Sequence, residues 1–205
     1  MILDIEFVIY ASLIIACLIP LYIYRKKILK FRNSNGNINL FLKDLRNYLS
    51  THHPKIKFNF SIIDKTEDEK DRRVRETLIV EDIITQFVDY DYKKTTQASV
   101  SKEKLWVGYD EKSKSDLKLP SDWKQRKEMA WLRDNGRCDR CGNKILLKNA
   151  YSQFAKEIEN GGGYNFENII ILCGDCNLIL KKKESKIDIS STEIYDKLMV
   201  AVDDN

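Results

Sequence analysis

Histidine is scarce in this sequence, with two in 205 residues and none after His53. Histidine is the commonest general base in enzymes and the commonest metal ligand. A histidine-dependent site in residues 54–205 would therefore need His52 or His53 to fold back onto it. Both precede Pro54 at the end of a predicted helix, and we interpret them as solvated loop residues.

The chain also lacks a strong excess of charge of one sign. Its net charge is +4, and residues 120–184 carry only three more basic than acidic side chains. Binding to a phosphate backbone depends on clustered lysine and arginine, so the charge gives little indication of nucleic-acid binding. Hydrophobic residues make up 43% of the chain, which is enough for a folded core and argues against disorder.

Cysteine is used sparingly but in a specific pattern. Four of the five cysteines form two pairs with two residues between the members of each pair, and 31 residues separate the pairs: Cys138, Cys141, Cys173 and Cys176. Such spacing is typical of a zinc site, and four thiolates leave zinc no open position, so we predict one structural zinc ion. Gly142 and Gly174 supply the turn glycines. Free thiols or a redox pair are the alternatives.

The N-terminal segment is the longest uncharged run. Residues 7–24 contain no charged side chain, and eighteen helical residues cover about 27 Å, close to the ~30 Å of a bilayer core. Five basic residues follow between Arg25 and Arg32. We predict a transmembrane anchor at residues 1–27, with the C-terminal part in the cytoplasm at an inner or cytoplasmic membrane. A cleaved signal peptide and a buried core helix are the alternatives.

Residues 38–110 are predicted to form a small α+β region after a juxtamembrane linker at residues 28–37. One apolar helical face runs from Ile38 to Leu49. Alternating apolar residues at positions 56–62 predict a half-buried strand. Thr66 and Glu69 form a capping box before a long helix that we expect to end near Tyr90. A further short strand is predicted at residues 105–109.

Residues 118–205 are predicted to form a second domain. Pro120 and Ser121 start a helix that should end near Asp134, just before the first cysteine pair. No internal repeat is present beyond the two cysteine pairs. The predicted fold class is α+β, with the N-terminal transmembrane helix, the small middle region and a zinc-stapled C-terminal domain.

Two stretches of the second domain, residues 119–142 and 161–177, resemble the zinc-containing type of HNH nuclease domain. They read LPSDWKQRKEMAWLRDNGRCDRCG and GGGYNFENIIILCGDCN. The resemblance covers about 60 residues and implies a ββα-metal core, in which a hairpin and a short helix are held by zinc. It also implies that Asn168 braces the hairpin loop and that Asn177 lies at a position which often contacts the catalytic metal. For Asn177 we favour the role of a helix N-cap over this metal contact.

The residues that carry the chemistry of this family are absent. The resemblance places Gln153 and Phe154 where the family has an acidic metal ligand and the general-base histidine. Phenylalanine can neither accept a proton nor bind a metal, and a lost general base alone costs about 10²–10⁴-fold in rate. We therefore expect the module to be degenerate, with Phe154 packed as core.

Three functions remain open at this point. We favour a membrane-anchored binding or scaffold protein with a degenerate HNH-like zinc module and an unidentified protein partner. An active HNH endonuclease with a displaced base is one alternative, and a membrane-tethered nucleic-acid binder is the other. The resemblance places Lys181, Lys182 and Lys183 where family members contact DNA, although lysines also favour a solvated helix end.

Overall fold

A computed structural model describes residues 38–111, 118–181 and 188–204, together with Tyr10, Ala16, Leu18, Ile19 and Tyr22. Within the described residues, the fold is α+β with six α-helices and one two-stranded sheet. The helices are α1 (Ile38–His52), α2 (Ile62–Lys65), α3 (Arg72–Asp89), α4 (Trp123–Arg133), α5 (Gly174–Lys181) and α6 (Glu193–Asp204). The strands are β1 (Tyr151–Phe154) and β2 (Ile169–Leu172).

Helix α1 confirms the predicted apolar face. Phe41, Leu42, Leu45 and Leu49 are buried, at the three- and four-residue spacing that places side chains on one side of a helix. The long helix α3 ends at Asp89, as predicted, and its buried side includes Ile79, Ile83, Ile84 and Phe87.

The predicted start of α3 is wrong. The helix begins at Arg72, and the carboxylate of Asp71 caps it by accepting hydrogen bonds from the backbone N–H groups of Arg73 and Val74. Thr66 instead follows α2, where its hydroxyl donates to the Ile62 carbonyl at 2.9 Å. Thr66 and Asp71 are both possible N-caps and lie five residues apart. The hydroxyl of Thr66 is bonded to α2, so Asp71 caps α3.

The predicted strand at residues 56–62 does not form. Ile56 is buried and Phe58 is half-buried, whereas Lys57 and Asn59 are exposed, so burial does alternate along this segment. The backbone of Asn59, however, pairs with a side chain: its N–H donates to Gln86 Oε1 at 2.7 Å, and its carbonyl accepts from Gln86 Nε2 at 2.7 Å. A glutamine of α3 thus replaces the partner strand. Residues 105–109 also form no strand.

The sheet is an antiparallel hairpin, in which Tyr151 pairs with Leu172 and Phe154 with Ile169. All four residues of β2 are buried, and α4 packs against this strand. Helix α5 follows β2 after one residue. The order of strand, strand and helix agrees with the ββα arrangement that the resemblance implies.

One hydrophobic core joins the two predicted regions. Its buried residues come from α1, α3, β2, α5 and α6, and the four clustered cysteines belong to it. Residues 38–110 therefore pack directly on the metal-binding part of the chain. The division between residues 110 and 118 stays a prediction, and residues 112–117 lie outside the described residues.

The transmembrane helix of the predicted fold class, and with it the single-pass membrane localisation, is wrong. Among the helices that can be described, none is both long enough and apolar enough to cross a membrane. The longest, α3, has eighteen residues but carries charged side chains along its length, and its apolar side faces the core. Most of residues 1–37, including Cys17, lies outside the described residues.

Candidate metal centre

Each cysteine pair lies at a tight backbone turn. In the first pair, the N–H of Gly142 donates to the Cys138 carbonyl at 2.9 Å, and Gly142 has a φ of +82°. This left-handed conformation favours glycine. In the second pair, Cys173 precedes α5 and Cys176 lies within its first turn, so the helix fixes their spacing. The two turns bring all four side chains together.

The cysteine cluster fits a tetrahedral metal ion. The sulfurs of Cys138, Cys141, Cys173 and Cys176 all lie within 4.8 Å of one another, and all four residues are buried. The Sγ atoms of Cys141 and Cys173 are 3.8 Å apart. Two ligands at the usual zinc–sulfur distance of ~2.3 Å in a tetrahedron lie about 3.8 Å apart. The four cysteines can therefore hold a metal ion.

The protonation of the thiols agrees with this reading. Hydrogen bonds from the other three thiols lower the pKa of Cys138, whereas the hydrogen bond to Cys138 raises the pKa of Cys173 and burial raises that of Cys176. One thiolate thus forms at the expense of its neighbours. A bound divalent cation supplies the positive charge that allows all four to ionise.

The chain segment after α1 supports the first cysteine turn. The N–H of Lys55 donates to the Cys141 carbonyl at 3.2 Å, and its ammonium group forms a 3.0 Å ion pair with Asp139. A β-carbon at Gly142 would lie 2.9 Å from Pro54 Cγ. Glycine is therefore needed at position 142 both for the backbone conformation and for this close packing.

Arg140, inside the first cysteine pair, is a supporting residue that the sequence did not reveal. It is 1% exposed, and its Nη2 donates to the carbonyls of Phe87, Val88 and Tyr90 at 2.6, 3.2 and 3.2 Å. These carbonyls belong to the C-terminal end of α3, where positive charge is stabilising. Its Nη1 lies 3.6 Å from Cys176 Sγ. One guanidinium thus connects a helix end to the sulfur cluster.

The side chains of Gln153 and Asn177 are in contact. Gln153 Nε2 donates to Asn177 Oδ1 at 3.0 Å. Asn177 lies inside α5, and its N–H donates to the Cys173 carbonyl, so the favoured prediction of a helix N-cap is wrong. This contact joins two neutral amides of β1 and α5, and neither of the two side chains carries a charge.

Phe154 packs among aromatic rings. Its ring centroid lies 5.7 Å from that of Trp123 and 5.7 Å from that of Tyr164, both in tilted or edge-to-face orientation. Such pairs add about 0.5–1.5 kcal/mol beyond the burial of their area. The side chain is only partly buried and belongs to a small cluster with Ala130, Ile169 and neighbouring residues.

Asn168 braces the hairpin loop, in agreement with the role that the resemblance gives it. Its side chain accepts from the Lys156 N–H at 2.7 Å and donates to the carbonyls of Lys156 and Gly163 at 2.9 and 2.7 Å. A β-carbon at Gly162 would collide with the Lys156 carbonyl oxygen. The loop therefore needs both the asparagine and the glycine.

The two histidines differ, and the prediction that both are solvated is wrong for His53. His52 is exposed at the end of α1, but His53 is 3% exposed, with its ring 5.0 Å from that of Phe87. Burial, aided by repulsion from His52, lowers the pKa of His53 to about 4. Its imidazole is therefore neutral at physiological pH. The packing partner Phe87 lies 34 positions away, which no local pattern reveals.

The lysine cluster is only partly described. Lys181 is exposed at the end of α5, and Lys182 and Lys183 lie outside the described residues. A role of these lysines in binding nucleic acid stays a prediction.

Comparisons with protein-family models, with curated proteins and with solved structures found no match to this chain. They support no family assignment, so the likeness to HNH domains depends on the residues quoted above.

Proposed function

We propose that the chain is a non-catalytic binding protein whose C-terminal part is a degenerate HNH-like ββα module held by one structural zinc ion. The observation that carries the proposal is the hydrogen bond between Gln153 and Asn177. In an active module these positions would hold an acidic ligand and a metal contact. Here two uncharged amides satisfy each other, and a divalent cation gains no carboxylate from either.

Zinc is the metal that this ligand set favours. Four thiolates in a closed tetrahedron are typical of structural zinc, and softer ligands of this kind disfavour magnesium and manganese. The four buried cysteines leave no open coordination position, so the ion would hold the fold together without activating water. Its role is then to fix the hairpin, α5 and α3 around one core.

His53 lies in different surroundings from the degenerate positions Gln153 and Phe154. His53 lines a cavity together with Cys173 and Asp175, and neither Gln153 nor Phe154 lines it. Its ring also packs between Phe87 and Tyr48. These contacts favour the non-catalytic reading over an endonuclease with a displaced base.

A cleavage assay tests the absence of catalysis. We expect the purified full chain to leave single- and double-stranded DNA intact with magnesium, manganese or nickel, because Phe154 cannot activate water and Gln153 offers the metal no carboxylate. A Gln153→Asp and Phe154→His double variant, which restores both groups, is the matched comparison. Metal-dependent nicking by the unsubstituted chain that a Cys173→Ser variant lacks would contradict the proposal.

A fixed loop with an apolar tip supports the binding role. Val107 is fully exposed, whereas the neighbouring Trp106 is anchored by a 3.2 Å hydrogen bond to Asp122 and by its ring contact with Tyr109. A tip that is apolar and held in place loses little entropy when a partner covers it.

Site-specific crosslinking in cells tests this loop. With a photoreactive benzoylphenylalanine in place of Val107, we expect a discrete covalent adduct with another protein, because an apolar tip is covered when its partner binds. The same probe in place of Lys124, which is exposed on α4, is the control and should give no such adduct. Equal labelling at both positions would argue against a binding role for the loop.

A further inference from the structure

A small cavity of about 180 Å³ lies beside the cysteine cluster. Side chains from α1, from the turn before β1 and from α6 line it, and the start of α5 closes it. Among them are Tyr48, Asn149, Asp175 and Lys197, so its wall is largely polar. At ~30 Å³ for each water molecule, the space holds several small polar molecules.

His53 is a buried polar side chain on the wall of this cavity. It lines the cavity, it is 3% exposed, and neither of its ring nitrogens has a hydrogen-bond partner among the described residues. A buried polar group without a partner costs about 1–3 kcal/mol. A water or another small polar molecule that entered the cavity would remove this cost.

Cys173 is the cysteine of the cluster that meets this cavity. It lines the wall and retains 6% exposure, whereas Cys138, Cys141 and Cys176 are each 0% exposed and do not line it. A small solute in the cavity can therefore contact one sulfur of the cluster and not the other three. A cysteine is attacked by oxidants as the thiolate, and metal coordination keeps it in that form.

We propose that Cys173 is a site of oxidation by small hydroperoxides, which enter through the cavity. The Cys173 thiolate attacks one peroxide oxygen, the O–O bond breaks, and the product is a sulfenic acid. The leaving group, hydroxide from hydrogen peroxide or alkoxide from an alkyl hydroperoxide, is protonated by a buffer acid in the solvent. The peroxide gains two electrons, and the sulfur loses two.

Cys141 then completes the reaction. Its sulfur lies 3.8 Å from that of Cys173. Its thiolate attacks the sulfenic sulfur, a disulfide forms, and the sulfenic oxygen leaves as hydroxide, which is protonated to water. Two of the four ligands are then lost. This step depends on the proposed zinc ion, which the disulfide form can no longer hold.

The test uses the full chain with Cys17→Ser, which removes the cysteine outside the cluster. Zinc content is measured first, and its absence from the reduced protein would refute the proposed zinc centre independently of the oxidation. The protein is then treated with one equivalent of hydrogen peroxide. A chromogenic chelator follows zinc release, and peptide mass spectrometry after dimedone trapping and alkylation locates the oxidised cysteine.

We expect dimedone to label Cys173 first and the disulfide to link it to Cys141, in step with zinc release. Cumene hydroperoxide is too bulky for the cavity and should react at least about tenfold more slowly than hydrogen peroxide. A tenfold difference in rate corresponds to about 1.36 kcal/mol in activation free energy. Oxidation that begins at another cysteine, or equal rates for the two peroxides, would overturn the proposal.

A pair of surface variants tests the route. Asn149 is exposed and lines the cavity, whereas the adjacent Lys148 is exposed and does not. Asn149→Trp should slow oxidation by hydrogen peroxide about tenfold, and Lys148→Trp should leave the rate unchanged. Both variants should keep their zinc and their unfolding midpoint. Equal rates in the two variants would show that the oxidant does not enter through this cavity.

Discussion

Replacing Cys138 by serine should abolish zinc binding and unfold most of the chain. A structural zinc ion contributes about 10 kcal/mol or more to folding, and the whole free energy of unfolding of a domain is only about 5–15 kcal/mol. The effect should extend beyond the hairpin, because Cys138 shares one buried core with residues of α1 and α3, such as Leu45 and Ile83. Elemental analysis and circular dichroism of the purified full chain measure the two losses.

The matched control is Cys17→Ser, the same substitution outside both cysteine pairs. It should retain one zinc ion per chain and leave the helical signal unchanged. A Cys138→Ser protein that keeps its helical signal and unfolds cooperatively at the midpoint of the unsubstituted chain would contradict a structural metal.

Arg140→Met should lower the free energy of unfolding by about 2–3 kcal/mol, because it leaves buried carbonyls without the charged hydrogen-bond donor that satisfies them. The guanidinium satisfies three carbonyls at the end of α3, lies over the rings of Phe87 and Tyr90, and approaches Cys176 Sγ. Methionine fills much of the volume but donates no hydrogen bond. A urea titration of the zinc-loaded protein measures the change.

Arg137→Met is the control for the Arg140 prediction. Arg137 lies in the same segment but is exposed, and its guanidinium donates to the Gly142 carbonyl at 3.1 Å. Its loss should cost about 1 kcal/mol or less. If the two variants are destabilised equally, the buried contacts of Arg140 do not have the role assigned to them.

The helices were predictable because their signals are local. The apolar spacing of α1, the end of α3 and the helix before the first cysteine pair all follow from residues within a few positions of one another. The cysteine cluster was predictable for the same reason, since two short pairs constrain their own geometry. The start of α3 was predicted wrongly because Thr66 and Asp71 are both suitable N-cap residues and lie close together. The local sequence does not show which of them caps the helix.

The remaining features depend on contacts between distant positions. Residues 56–60 have the alternation of a strand, but the backbone of Asn59 bonds to Gln86, 27 positions away. The burial of His53 depends on Phe87, and that of Arg140 on the end of α3. A charged residue inside a cysteine pair could have suggested a supporting role for Arg140, but its partners could not be read from the sequence.

The order in which the chain leaves the ribosome gives the cysteine cluster a further consequence. Helices α1 and α3 emerge before the cysteines that complete their core, and the ion pair between Lys55 and Asp139 joins positions 84 apart. At about 5–20 residues per second, the delay between Asp89 and Cys176 is of the order of ten seconds. During that time the apolar sides of both helices are not yet packed against the later residues of the core. When zinc is scarce the interval lengthens, so metal supply would determine how much newly made protein aggregates.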